Sequence, residues 1–194
     1  MIHVDPPFDL GETLKGTNDA GALINTHWQG AVYEFPDYDR TPGTPRGGKS
    51  RRNGGTIKAV CVRNTKTSAL AVATATHGLA LSFDVTAAGR LAATTVKGAT
   101  LAAEGEWCGV GDPELGATTV AVNDLFWLVI GGVVSLKAEG GITAGHSFIA
   151  DTGSDGEVTA AEAADVGGHE TMGVALDTVT DGNVFVAMVD VMYG

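Results

Sequence analysis

Asp124-Leu-Phe-Trp-Leu-Val-Ile-Gly-Gly-Val-Val-Ser-Leu-Lys137 is the stretch on which the reading of this chain turns. Leu125 to Ile130 are apolar without interruption, a run too short and too quickly followed by glycine to cross a bilayer. A short apolar run bounded by turn residues is a strand covered on both faces. Gly131-Gly132 reads as a turn, with a further strand over 133–137. Val184-Phe-Val-Ala-Met-Val189 repeats the pattern near the end of the chain and predicts a second central or interface strand.

Outward from that stretch the text from Thr56 onward consists of short runs rich in Val, Thr and Ala, with turn residues between them. Strands are predicted near 56–64, 79–85, 90–96, 106–110, 124–130, 133–137, 146–150, 156–159, 171–176 and 183–193. Breaks every eight to twelve residues point to an all-β fold, a compact β-barrel or β-sandwich. Two stretches are ambiguous. Residues 69–80 suit a helix or a strand plus loop, and Thr159-Ala-Ala-Glu162 has the form of a capping box before a short helix.

Residues 1–55 carry neither periodicity. They contain Pro6-Pro7, Pro36, Pro42 and Pro45, scattered Gly, and isolated large residues that include Phe8, Trp28, Tyr33 and Phe35. Proline fixes φ and removes a donor, so the division expected is an extended N-terminal arm over 1–55 and a β domain over 56–194. Isolated aromatics need pockets. Trp28, Tyr33 and Phe35 are therefore candidate contacts to a neighbouring subunit, with an arm folded back on its own domain as the alternative.

Charge divides the chain in the same way. Nine of the twelve Lys and Arg residues precede Ser68, giving residues 1–66 a net charge of +2 and residues 67–194 one of −13. The densest basic segment, Arg40, Arg46, Lys49, Arg51 and Arg52, lies among Pro and Gly where no packed element is expected. Three readings stand: a solvated linker, docking on an acidic protein surface, or contact with nucleic acid. An acidic body repels a duplex, and no aromatic alternates with the basic residues as a stacking platform requires.

With 28 glycines and 6% aromatics the core is thin, so association with copies of itself or a partner is expected. Cys61 and Cys108 sit singly in apolar stretches, with no Cys-x-x-Cys pair. Free thiols in a reducing compartment are the first expectation and a disulfide the second. The N-terminus lacks the basic and apolar regions of a signal peptide, so synthesis in a cytoplasm is expected, with no membrane partner.

Chemistry-bearing motifs are few. Phe148-Ile-Ala-Asp-Thr-Gly-Ser154 has the form of an aspartic-protease loop, which needs a symmetric dimer to bring two Asp151 carboxylates together. A polar turn between strands is the other reading, favoured because Asp155-Gly156-Glu157 leads straight into a strand. Asp151, Asp155 and Glu157 do not have EF-hand spacing. The five histidines form no ligand pair, and there is no Gly-x-Ser-x-Gly, phosphate loop or dinucleotide fingerprint. No cofactor, metal or catalytic residue is predicted.

Three stretches resemble the small capsid decoration, or cement, proteins of tailed bacteriophages. They are Gly55-Thr-Ile-Lys-Ala-Val-Cys-Val-Arg-Asn64 with its following Ser68-Ala69-Leu70, Asn123-Asp-Leu-Phe-Trp-Leu-Val-Ile-Gly-Gly132, and Met172-Gly-Val-Ala-Leu-Asp177 leading to Val184-Phe-Val-Ala-Met188. The resemblance spans about 55–194. It departs where Glu114-Leu-Gly-Ala-Thr118 replaces a Pro-rich loop. It implies a non-enzymatic β protein on the outer capsid surface of a virion that binds the major capsid protein, bridges its subunits and stabilises the shell. It also implies a homo-oligomer, a trimer before a dimer. A dimeric aspartic protease of capsid maturation and a nucleic-acid-binding structural protein are the alternatives.

Overall fold

The computed structural model describes residues 5–36, 56–74, 76–83, 95–98, 108–111, 119–151, 156–161 and 171–191. In chain order its strands are β1 (Thr13–Leu14), β2 (Val32–Pro36), β3 (Thr56–Asn64), β4 (Leu70–Ala71), β5 (Ala80–Phe83), β6 (Thr95–Gly98), β7 (Cys108–Gly111), β8 (Thr119–Val120), β9 (Leu125–Lys137), β10 (Ser147–Ala150), β11 (Val158–Ala160), β12 (Gly173–Ala175) and β13 (Val184–Asp190). Among the described residues the helical content is one 3-10 turn, Thr26–Trp28. The fold is all-β, as the pattern of short runs predicts.

β9 organises everything else. Its first half pairs with β3 through Ala59↔Val129, Val60↔Leu128, Cys61↔Trp127 and Val62↔Phe126, and with β7 through Val110↔Val129 and Gly111↔Leu128. β7 continues to β5, β5 to β6, and β6 pairs in parallel with β3, so the ring β9–β7–β5–β6–β3 closes on itself. Closure removes the unpaired edges that an open sheet of apolar strands would expose.

The second half of β9 serves a second ring. It pairs with β13 from Gly131↔Asp190 to Lys137↔Val184. β13 leads to β12, β12 to β10 and β10 to β11. Val158 then returns to Ala138, just past the end of β9, through a parallel bridge. Two small rings thus share one long strand. Phe148 and Phe185 meet edge-to-face at 5.8 Å inside the second ring, with Leu136, Ala187 and Val189 buried beside them.

Gly131-Gly132 is consequently not a turn, contrary to the sequence expectation: residues 125–137 form one continuous strand. The glycines mark where β9 exchanges β3 for β13 as neighbour. Gly132 has φ +113°, and a Cβ there would lie 2.7 Å from the Thr56 carbonyl oxygen and 2.9 Å from Ile57 Cδ1. Only glycine tolerates both the backbone conformation and the crowding.

The N-terminal segment is also different from the expected extended arm. Residues 5–36 fold back on the domain, with β2 antiparallel to β3 from Val32↔Val60 to Pro36↔Thr56 and β1 against β9 at Thr13↔Phe126. The physical reason lies in the first half of β9, which is apolar on both faces and needs an outer cover. Residues 70–74 and 76–79 contain a two-residue strand and a loop rather than a helix, and Ala80 opens β5. Thr159 pairs with Ile149 inside β11 and so caps no helix.

Candidate interaction surfaces and the anchored N-terminal segment

Cross-strand register sets the outer face of the first ring. Tyr33 lies opposite Ala59, and Cys61 opposite Trp127. The small β3 residues leave room for large rings on both sides. Tyr33 meets the Trp127 indole edge-on at 5.5 Å and Phe35 meets it at 5.1 Å, while Phe8 stacks on it at 4.9 Å. Trp127 Nε1 donates to the Phe8 carbonyl at 3.0 Å, which satisfies the one polar group of the indole.

This placement bears on the residues singled out in the sequence. Phe35 is buried in the core of its own chain, and Tyr33, half-buried, packs against that core. Trp28 is half-buried, packs on the same core and tilts against His27 at 4.8 Å. Arg40, Arg46, Lys49, Arg51 and Arg52 lie outside the described residues.

Sequence reasoning missed a polar anchor. Arg63, 3% exposed, projects from the end of β3 beneath residues 16–29. Its Nη1 donates to the carbonyls of Asn123 at 2.6 Å and Gly16 at 3.2 Å, Nη2 to the Ile24 carbonyl at 3.0 Å, and Nε to Gln29 Oε1 at 3.1 Å. Burial lowers the pKa of the guanidinium, opposed by Cys61 and Asp124. Asp124 Oδ1 accepts from the Gly16 amide at 2.9 Å. A Cβ on Gly16 would fall 1.7 Å from the Asn123 carbonyl oxygen, so glycine is required for this close approach.

Asn64 locks the other side of the same corner. Its Nδ2 donates to the carbonyls of Val120, Ala121 and Ser68, and its Oδ1 accepts from the Lys66 amide. The Asn64 amide donates to the Asp124 carbonyl at 3.0 Å, and the Asn123 amide to the Asn64 carbonyl at 2.8 Å. Asn123 sits at φ +66°, a conformation asparagine tolerates better than most residues. A buried charged residue at the end of an apolar strand was the only signal available for this node.

A titratable cluster stands at the seam of the two rings. Lys137 Nζ donates to Glu157 Oε1, and the resulting pair holds the Lys137 pKa above its usual range. His77 is buried, with Nδ1 at 2.9 Å from Thr74 Oγ1 and 3.0 Å from Thr76 Oγ1. Burial and then the Lys137 charge lower its pKa, opposed by Glu157. Asp151 stands at the end of β10, its amide donating to the Glu157 carbonyl at 3.0 Å; residues 152–155 of its loop lie outside the described residues. Among the described residues no group of three His, Cys, Asp or Glu could hold a metal ion. Cys61 is a free thiol, buried on β3 opposite Trp127.

A group of exposed apolar residues lies elsewhere. Val174, Leu176, Val184 and Met188, on and beside β12 and β13, are four of the seven large hydrophobic residues exposed among those described. Isolated exposed apolar residues are ordinary, but contiguous ones mark an interaction surface.

No protein-family model matches the chain, and no curated protein matches it in sequence. Among solved structures it is similar to the head fiber gp8.5 N base of bacteriophage phi29, at 14% identity and a TM-score of 0.41. That likeness covers 71% of this chain and 99% of the other. At this score the two do not share a demonstrated fold.

Proposed function

We propose that the chain is a non-enzymatic structural protein of a phage head, a decoration protein that binds the outer surface of the major capsid protein shell and stabilises it by bridging subunits. The observation that carries the reading is the meeting of two stretches on which the family resemblance rests. The strand ending in Arg63-Asn64 and the strand opened by Asn123-Asp124 build one node, through the Arg63 bond to the Asn123 carbonyl and the reciprocal Asn64, Asn123 and Asp124 backbone bonds. The resembling residues are the ones that hold the fold's corner together and attach its N-terminal segment. The reading is of the same class as the phage head fiber base named above, on which it does not rest.

With Phe35 buried in its own core, attachment to the shell is assigned to the basic residues Arg40, Arg46, Lys49, Arg51 and Arg52, set against an acidic body. Repetition over a symmetric shell converts such weak contacts into avidity. Replacing all five with Gln tests this. The variant is expected to keep its thermal stability and lose binding to undecorated shells, and undiminished binding would refute attachment through this segment. Removal of residues 1–54 is unsuitable for the purpose, because it also removes β1, β2 and the cover of Trp127.

A further inference from the structure

The two halves of β9 are treated differently. The first is buried at every position, because Phe8, Tyr33 and Phe35 cover its outer face. In the second half Val134 and Leu136 are buried while Val133, Ser135 and Lys137 are half-exposed. Register extends that outer face across the sheet. Val133 lies opposite Met188, and Met188 opposite Val174. Val184 and Val186 stand on the same side of β13, while Phe185, Ala187 and Val189 point into the core. Leu176 follows β12, its amide bonded to the Val186 carbonyl. Exposures of 38% at Val174, 45% at Leu176, 43% at Val184 and 42% at Met188 leave an apolar sheet face with no cover among the described residues.

We infer that this face binds a second copy of the chain, the β13 strands of the two copies packing antiparallel about a two-fold axis near Ala187. The charge pattern selects this occupant. The centre of the face is uncharged although residues 67–194 hold sixteen acidic side chains against three basic ones, so here two acidic bodies can approach without repulsion. Lys137 lies opposite Val184 at one end of the face and Asp190 closes the other, roughly 20 Å away along the strand. A two-fold rotation about Ala187, midway between Val184 and Asp190, brings the Asp190 of each copy toward the Lys137 of the other. That self-complementarity is what an isologous interface requires. The Lys137 ammonium keeps its Glu157 bond and has further donors available. Flat aligned packing of two such faces is the geometry of a β-sandwich interior.

The inference rests on the reading of the chain as a homo-oligomer but not on its having a shell as target, so the two fail separately. Sedimentation equilibrium of the full chain, with Met188→Lys and Asp190→Lys variants, tests it. The expected result is a dimer whose association weakens on the order of tenfold or more in M188K, and also in D190K, where ammonium faces ammonium, with the native circular dichroism spectrum retained. A monomeric or trimeric native chain, or variants that associate as tightly as the native protein, would overturn it. So would a monomer whose shell binding is lost in M188K, because the face would then belong to the shell.

Discussion

The Trp127 indole is held twice by one residue: Phe8 stacks on it at 4.9 Å, and the Phe8 carbonyl accepts its Nε1 hydrogen at 3.0 Å. A residue at the start of the described chain therefore completes the core of a strand 119 positions later. Phe8→Ala is expected to cost about 3 kcal/mol and to move Trp127 emission to longer wavelength as water reaches the ring. Chemical denaturation with fluorescence detection checks both; an unchanged midpoint and spectrum would mean that the N-terminal segment is not part of the folded unit.

Arg63 gives a second handle on that attachment. Arg63→Ala removes the guanidinium donor from the Ile24 and Asn123 carbonyls and one of the two donors to the Gly16 carbonyl, which keeps the Ile24 amide. The expected loss is about 3 kcal/mol, with new protease cleavage within residues 15–29 before global unfolding. Arg63→Lys restores the charge but not the fork of donors, so it recovers only part of the stability.

How much of this was legible is clear from particular residues. Residues 56–64 were read to their ends because Val and Ile crowd between turn residues, and 125–130 were read as doubly covered because every position is apolar. The Gly131-Gly132 pair misled, since adjacent glycines ordinarily mark a turn; here they admit Thr56 and Ile57 against a strand that changes neighbours. Residues 5–36 carry no period because β1 has two residues and β2 five, with the intervening chain held by backbone and side-chain bonds. Phe35 needs a pocket, but sequence alone does not say that the pocket belongs to its own chain. The Arg63 anchor was invisible because its partners are mostly carbonyls, which leave no mark in a side-chain sequence.

Cys61 is a chemical probe of the same region. Burial, partly opposed by Arg63, pushes its pKa up to about 12, so at pH 8 almost no thiolate forms in the native state. Iodoacetamide followed by peptide mass mapping is expected to leave Cys61 unmodified in native protein and to alkylate it in denaturant. Fast labelling of Cys61 in the native protein would contradict its burial in the core of β3.

His77 predicts an acid-side loss of stability. Its folded pKa lies below the 6.5 of the unfolded chain, chiefly through burial and then through Lys137. The unfolded state therefore binds the proton first. This contribution is fully present above pH 6.5 and is lost as pH falls below it, at no more than about 1.4 kcal/mol per pH unit for one group. His77→Gln is expected to flatten that part of the curve relative to native protein in urea denaturation between pH 7.5 and 5; parallel curves would remove His77 as the cause.

The central proposal is that the chain decorates a phage shell in repeated copies. Quantitative mass spectrometry of purified particles, with copy number referred to the major capsid protein, tests it most directly. Many copies in fixed ratio to the capsid subunit are expected, all accessible to protease added outside intact particles. Absence from particles, or one or a few copies in each, would contradict it.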